Sequence, residues 1–219
     1  MKHYALIGFP LGHSLSASYF TEKFSREGIE ADYTPLPIEN AEEVLQHCAK
    51  LSGFNVTIPH KQAIMPLLSE ISEEARAVGA VNCVKVTPQG LVGYNTDVIG
   101  IRKSLEGVRL DGAKALVLGT GGASKAVQYV LRTDGAEVAV VSRSKGTADL
   151  TYEDLSEELI ADTDIIALNT ELFQKRFSFL GVKFFLCAVD PAGIDTDGKC
   201  GVHHVADDKG CVLRVRHHI

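Results

Sequence analysis

Residues 115–126, which read ALVLGTGGASKA, decide the fold of the second half of this chain. The apolar residues 115–118 predict a buried strand, and glycines follow it at once. Glycines here let the backbone turn tightly and approach a pyrophosphate at the N-terminus of the next helix, which Ala126 lets pack closely on the strand. A tight turn without a ligand is the alternative. The residues predicted to hold a dinucleotide are Gly119, Gly121, Gly122 and Ala123.

Predicted strands and helices alternate on both sides of this turn. Downstream, the pattern predicts a helix over 124–132, a strand over 136–141, an acidic helical stretch over 152–159 and a strand over 164–168. This order is a βαβαβ half of a Rossmann-type dinucleotide-binding fold. Upstream, the predicted helices cover 16–27, 40–50, 60–71, 73–79 and 98–105, and the predicted strands cover 4–7, 31–36, 54–58 and 81–86.

A link that contains glycine, residues 107–112, separates the two series of elements. We therefore predict an α/β protein of two domains, because the count of strands and helices restarts after this link. The first, over 1–106, is an α/β substrate-binding domain, and the second, over 107–219, is a Rossmann-type domain. Residues 171–219 form an atypical tail of that second domain.

The loop after strand 136–141 indicates which dinucleotide is bound. A site that prefers NAD places an acidic residue here, but this sequence has Ser142, Arg143, Ser144 and Lys145. The planar guanidinium of Arg143 can pair with a 2′-phosphate, and the two serines can donate hydroxyl protons to it. The predicted cofactor is therefore NADP, and a solvated basic loop is the alternative reading.

Polar residues in the first half lie at the edges of apolar segments. The stretch GFNVTIPHK, residues 53–61, ends a predicted strand, and Asn82 and Asp97 lie at two further edges. Ligands of α/β proteins bind at the carboxyl ends of strands, and a lysine close to a carboxylate can transfer a proton. Each residue alone is explained by a turn or a charged surface, but together they favour one cleft.

In their order along residues 1–166, these motifs resemble those of the shikimate dehydrogenases. Residues 8–16, GFPLGHSLS, resemble the family's HSxSP segment, although Ala17 replaces its proline. This resemblance implies that Ser14 and Ser16 hold the substrate carboxylate. The similarity of residues 55–61 to NVTxPxK implies that Lys61 is the catalytic lysine and that Thr57 contacts the substrate. Asn82 resembles the family's asparagine that binds ring hydroxyls, and Asp97 resembles the aspartate that partners the lysine.

The resemblance implies a reversible, NADPH-dependent reduction of 3-dehydroshikimate to shikimate in aromatic amino acid biosynthesis. It implies a small-molecule substrate, no metal, and a monomer or homodimer. A quinate/shikimate dehydrogenase that uses NAD is one alternative, against which Arg143 argues. A catalytically impaired nucleotide-binding protein is another, because the family's later motifs are absent after Ile166.

Composition limits the partners and the compartment. The net charge is −6, which predicts no nucleic-acid partner, and no apolar stretch has the ~20 residues of a membrane helix. Five cysteines are an odd number without a CxxC pair, so free thiols in the cytoplasm are expected.

The cysteines and histidines of the tail also suggest a zinc site, but the spacing of these residues along the chain argues against it. The candidate zinc ligands are Cys200, His203, His204 and Cys211.

Overall fold

The structure, a computed structural model, describes residues 1–11, 15–168, 185–187 and 211–215. The chain divides into two compact units, of which the first is Met1–Asp97 and the second begins at Val98. Each unit has its own sheet and its own helices, which confirms the predicted two-part α/β organisation. Within the described ranges, no helix has the length and apolarity needed to span a membrane.

The first unit is built around a mixed sheet. Its strands are β1 (Lys2–Gly8), β2 (Ala31–Pro37), β3 (Gly53–Val56), β4 (Glu70–Ile71), β5 (Cys83–Thr87) and β6 (Gly90–Tyr94). Its α-helices are α1 (Leu15–Arg26), α2 (His60–Ala63) and α3 (Glu73–Val78). Short 3-10 helices cover Ala41–Gln46, Cys48–Lys50 and Met65–Leu67.

The strand order in this sheet is β2-β1-β3-β5-β6-β4. Strand β1 is parallel to both β2 and β3, so the carboxyl ends of these three strands lie along the same edge. Strand β5 is antiparallel to β3 and to β6, with which it forms a hairpin. Apolar side chains of β1, β3 and β5 form the core beneath this edge, among them Ile7, Val56 and Val84.

The second unit repeats the order of a Rossmann-type half. Helix α4 (Asp97–Ser104) starts at the last residue of the first unit, and the rest of it belongs to the second. The further elements are β7 (Lys114–Leu118), α5 (Gly122–Thr133), β8 (Glu137–Ser142), β9 (Leu150–Thr151), α6 (Glu157–Ala161), β10 (Ile165–Leu168), β11 (Phe185–Cys187) and β12 (Cys211–Val215). The order is β11-β12-β10-β7-β8-β9, and β7 is parallel to β8 and to β10. The strand order reverses at β7, where ligands of such sheets bind.

Several sequence predictions differ from the structure. In the second unit, the helical stretch predicted over 152–159 is a 3-10 helix (Tyr152–Asp154) followed by α6, and β9 was not predicted. The other differences lie in the first unit. The helix predicted over 60–71 is wrong, because Pro66 lacks the N–H that would continue it, and α2, a 3-10 turn and β4 occupy this range. The helix predicted over 40–50 is two 3-10 helices. Strand β6 was missed because two of its five residues are glycines, which weaken the apolar pattern.

The structure groups α4 with the second unit, whereas the predicted boundary at 106–107 places this helix in the first domain; that boundary stays a prediction. In the tail, β12 lies antiparallel to β10. Of the candidate zinc ligands, Cys200, His203 and His204 lie outside the described residues.

Candidate functional site

The open end of the β5–β6 hairpin brings the predicted site residues together. Cys83 pairs with Tyr94 in this hairpin, so Asn82 just before β5 and Asn95 just after β6 lie at the same end. The backbone N–H of Asn82 donates to the carbonyl of Tyr94 over 3.1 Å. Asp97 follows two residues later, so the hairpin sets its position.

Lys61 and Asp97 form an ion pair. Lys61 Nζ lies 2.7 Å from Asp97 Oδ2, and the two side chains are 15% and 3% exposed. The carbonyl of Lys61 also accepts a hydrogen bond from the N–H of Val81 over 2.7 Å. This backbone bond ties helix α2 to the segment before β5, so the lysine and the hairpin end are held together at two points.

Asn82 binds the second oxygen of the same carboxylate. Its Nδ2 donates to Asp97 Oδ1 over 2.6 Å and to Thr96 Oγ1 over 3.0 Å. Its Oδ1 accepts the backbone N–H of Thr96 over 2.8 Å, and the residue is only 2% exposed. The structure therefore places three of the predicted residues, Lys61, Asn82 and Asp97, in one hydrogen-bonded cluster.

Asn95 belongs to this cluster, but the sequence prediction gave it no role. Its Oδ1 accepts the N–H of Asp97 over 3.1 Å, and its Nδ2 donates to the carbonyl of Ala80 over 2.9 Å. An asparagine side chain often forms a turn by accepting the backbone N–H two residues later. The Asn-x-Asp spacing was therefore the signal available in the sequence. The residue is 3% exposed, which a surface turn would not require.

The carboxyl ends of β1 and β3 carry the other predicted substrate contacts. The N–H of Phe9 donates to the carbonyl of Ile58 over 3.0 Å, which joins the segments that follow the two strands. Thr57 is half-buried, and Ser16 is 6% exposed in the first turn of α1. Ser14 lies outside the described residues, so its position stays a prediction.

Gly8 packs against Thr57. A Cβ at position 8 would clash with the methyl group of Thr57 and lie 2.9 Å from the carbonyl of Ile58 and from Leu11 Cδ2. Only a residue without a side chain fits there. The glycine therefore lets β1 approach the turn that carries Thr57.

Burial around the cluster is matched by hydrogen bonding. In the described part of the chain, every buried side-chain nitrogen and oxygen atom has a hydrogen-bond partner. The imidazole of His60, next to Lys61, is 2% exposed, and its Nε2 lies 2.7 Å from the carbonyl of Ile38.

Burial raises the pKa of the Cys83 thiol above its ordinary value. No group of three or more His, Cys, Asp or Glu suited to a metal occurs among the described residues.

In the second unit, the glycine turn joins β7 to α5. Gly119 has φ of 115°, a left-handed conformation that glycine adopts without strain. The buried hydroxyl of Ser124 donates to the carbonyl of Gly119 and closes the turn. Gly121 is the N-cap of α5 and offers no side-chain acceptor, so the first N–H groups of the helix are available to an anion.

The loop after β8 carries Arg143, whose side chain is exposed. The hydroxyl of Ser142 donates to the carbonyl of Ser144 over 3.0 Å and accepts the N–H of the same residue over 3.2 Å. Ser142 therefore shapes the loop, and its donation to a phosphate stays a prediction. Lys145 Nζ lies 3.9 Å from Asp154 Oδ2.

A Rossmann-type strand order, a glycine turn at its switch point and a buried lysine–carboxylate pair in the other unit define a dinucleotide-binding α/β protein. The family model of the shikimate dehydrogenase substrate binding domain matches residues 6–84. The shikimate dehydrogenase (NADP(+)) of Desulfitobacterium hafniense is 34% identical over 213 residues, which cover 87% of this chain and 78% of that protein. This chain belongs to the shikimate dehydrogenase family.

Other relatives are matched over a smaller part of their length. The shikimate dehydrogenase (NADP(+)) of Carboxydothermus hydrogenoformans is 40% identical over 147 residues, which are 64% of this chain and 52% of that protein. The crystal structure of shikimate 5-dehydrogenase from Thermus thermophilus in complex with NADP(H) and shikimate is 33% identical. It superimposes with a TM-score of 0.61 over 68% of this chain and 58% of that one.

Proposed function

We propose that this protein is an NADP-dependent shikimate dehydrogenase in aromatic amino acid biosynthesis. In the oxidative direction, a hydride leaves the carbinol carbon of shikimate for the nicotinamide ring, and the hydroxyl proton leaves the oxygen. The products are 3-dehydroshikimate, NADPH and a proton. The reverse reaction returns the hydride to the carbonyl carbon and a proton to its oxygen.

The observation that carries this proposal is the pair of Lys61 and Asp97, held at 2.7 Å. In its neutral amine form, Lys61 beside this buried carboxylate can take the proton of a substrate hydroxyl, become an ammonium ion, and return the proton in the reverse direction. No metal is needed, because the ammonium form of Lys61 can also stabilise negative charge on the reacting oxygen. The pair accepts one proton when the alcohol is oxidised and donates one when the ketone is reduced.

The substrate contacts follow from the resemblance and from their place in the first unit. Ser14 and Ser16 bind the carboxylate, and Thr57 and Asn82 bind ring hydroxyls. In support, Thr57 lies at the carboxyl end of β3, where parallel strands place ligand-binding groups. Asn82 borders the same carboxylate that Lys61 contacts.

The second unit supplies the cofactor site. NADP bound there would supply the hydride chemistry, and the residues of this unit would hold and orient it. The N–H groups around Gly121, Gly122 and Ala123 bind the pyrophosphate, for which the uncapped N-terminus of α5 is suited. Arg143 and the serines beside it bind the 2′-phosphate, which selects NADP over NAD.

Assays with the purified chain test the proposal. Shikimate with NADP should produce reduced nicotinamide, and quinate or NAD in their place should give a much lower kcat/KM. Tight NADP binding without turnover would favour the impaired nucleotide-binding protein instead. Activity with quinate and NAD equal to that with shikimate and NADP would favour the other dehydrogenase.

We also propose that the enzyme acts in the cytoplasm as a monomer or homodimer, without nucleic acid. The described thiols of Cys48 and Cys83 are free, as a reducing compartment would keep them. The net charge of −6 gives no general attraction to nucleic acid. Light scattering coupled to gel filtration measures the oligomeric state, and a tetramer or larger assembly would contradict this proposal.

A further inference from the structure

We propose that Asn95 is a positioning residue that sets the geometry of the pair Lys61 and Asp97. This inference rests on the proposed function, because it concerns the same proton-transfer pair. Asn95 does not touch the lysine amine in the structure. It acts through the backbone of Asp97 and through the carbonyl of Ala80.

Asn95 lies at the open end of the hairpin. Strand β5 begins and strand β6 ends there, so Asn82 precedes the first strand and Asn95 follows the second. The segment 80–82 and the segment 95–97 are therefore neighbours at the open end. Hydrogen bonds across this opening help to keep the two segments at a fixed separation.

The side chain of Asn95 makes one hydrogen bond across the opening and one within its own segment. Its Nδ2 donates over 2.9 Å to the carbonyl of Ala80, a residue that is 0% exposed. Its Oδ1 accepts over 3.1 Å from the backbone N–H of Asp97, a residue that is 2% exposed. Because its amide side chain supplies both a donor and an acceptor, Asn95 alone links the backbone of Asp97 to the carbonyl of Ala80.

Asn82 connects this link to the carboxylate of Asp97. Asn82 ends the segment that begins at Ala80, and its Nδ2 binds Asp97 Oδ1 over 2.6 Å. Asp97 is thus fixed at its backbone by Asn95 and at its side chain by Asn82. The remaining oxygen, Oδ2, is presented to Lys61. Without Asn95, the buried carbonyl of Ala80 and the buried N–H of Asp97 would lose their partner, and the segments would shift to satisfy them.

The test compares three full-length variants with the wild type. Asn95→Ala removes both bonds, whereas Asn95→Ser keeps a hydroxyl that can accept from the N–H two residues later, though more weakly. Thr87→Val is the matched control, because it removes a 2.8 Å side-chain bond to the carbonyl of Gly90 at the opposite end of the same hairpin. The measurements are kcat, KM for shikimate, the melting temperature and crystal structures.

For Asn95→Ala we expect kcat to fall about 10²-fold with little change in KM, because a displaced carboxylate disturbs the reacting geometry more than substrate binding. We expect Asn95→Ser to recover part of the loss and Thr87→Val to keep the wild-type kcat. The crystal structure of Asn95→Ala should show Asp97 Oδ2 beyond hydrogen-bond distance of Lys61 Nζ.

Three results would overturn the inference: a folded Asn95→Ala protein with the wild-type kcat, an equal loss in Thr87→Val, or a pair that keeps its distance in the variant crystal. If Asn95→Ala does not fold, Asn95→Ser with a wild-type kcat and pair distance would overturn it as well. The crystallographic distance does not depend on turnover. An inactive wild type would therefore refute the proposed function while the geometry still tests the role of Asn95.

Discussion

Lys61 Nζ donates to Asp97 Oδ2 over 2.7 Å, although 36 residues separate the two in the chain. The other carboxylate oxygen accepts from Asn82 over 2.6 Å. Both oxygens of Asp97 are therefore held by the protein itself. In the proposed reaction, little rearrangement would then be needed when a substrate hydroxyl meets the lysine, and such preorganisation lowers the cost of reaching the transition state.

Replacing the lysine should abolish most of the proposed activity. Lys61→Met keeps much of the side-chain length but removes the amine, so we expect kcat to fall about 10²- to 10⁴-fold, the range that general acid–base groups contribute. Lys85→Met is the control, since Lys85 is exposed on β5. Steady-state kinetics measure the effect, and Lys61→Met with unchanged kcat would exclude this lysine from proton transfer.

Removing the arginine of the β8 loop should weaken NADP binding much more than NAD binding. A hydrogen bond to a charged group contributes about 1.5–3 kcal/mol, so Arg143→Ala should raise the Kd of NADP roughly 10- to 100-fold. Arg132→Ala, at the far end of α5, is the control and should leave both affinities unchanged. Fluorescence titration gives the two Kd values, and an equal loss for both dinucleotides would contradict the role of Arg143.

Adding a methyl group at Gly8 should disturb the turn that carries Thr57. The new Cβ would overlap the threonine methyl and crowd the carbonyl of Ile58, so Gly8→Ala should lower the free energy of unfolding by about 1–3 kcal/mol. KM for shikimate should rise as well, because Thr57 moves. Gly146→Ala meets no atom within 4 Å and serves as the control in denaturant titrations. Equal stability of the two variants would show that β1 can move away.

The thiol of Cys83 should react slowly at moderately alkaline pH. Burial raises its pKa, and only the thiolate is nucleophilic, so the thiol stays protonated near pH ~8.5, where a free cysteine is half ionised. Alkylation by iodoacetamide should therefore accelerate only at higher pH than for glutathione. Mass spectrometry of the peptide that contains Cys83 measures the rate, with Cys83→Ser to verify the assignment. Alkylation as fast as that of glutathione at pH ~8 would contradict this expectation.

The sequence predicts the alternation of strands and helices well, because buried strands and amphipathic helices differ in their apolar period. It fails where this period is weak or broken. The two glycines of β6 hide a strand, and Pro66 interrupts a segment whose apolar spacing still resembles a helix.

For the candidate site, the sequence predicts which residues belong, and the family resemblance implies that Asp97 partners Lys61, but the other connections are not predicted. Spacing along the chain says nothing of the bond between Lys61 and Asp97, since the hairpin and α2 create that proximity. Asn95 resembles an ordinary turn former in the sequence. Its burial and its bond to Ala80 arise only when β5 and β6 pair.

The hairpin of β5 and β6 has one end that holds the predicted site and another that does not. At the far end, the exposed residues Pro88 and Gln89 form the turn between Thr87 and Gly90. Exposed turns accept inserted sequence, so a peptide tag or a small reporter domain placed between residues 88 and 89 should leave the site assembled. The same strand pairing that positions Asp97 thus offers an attachment point for labelling or immobilising a working enzyme.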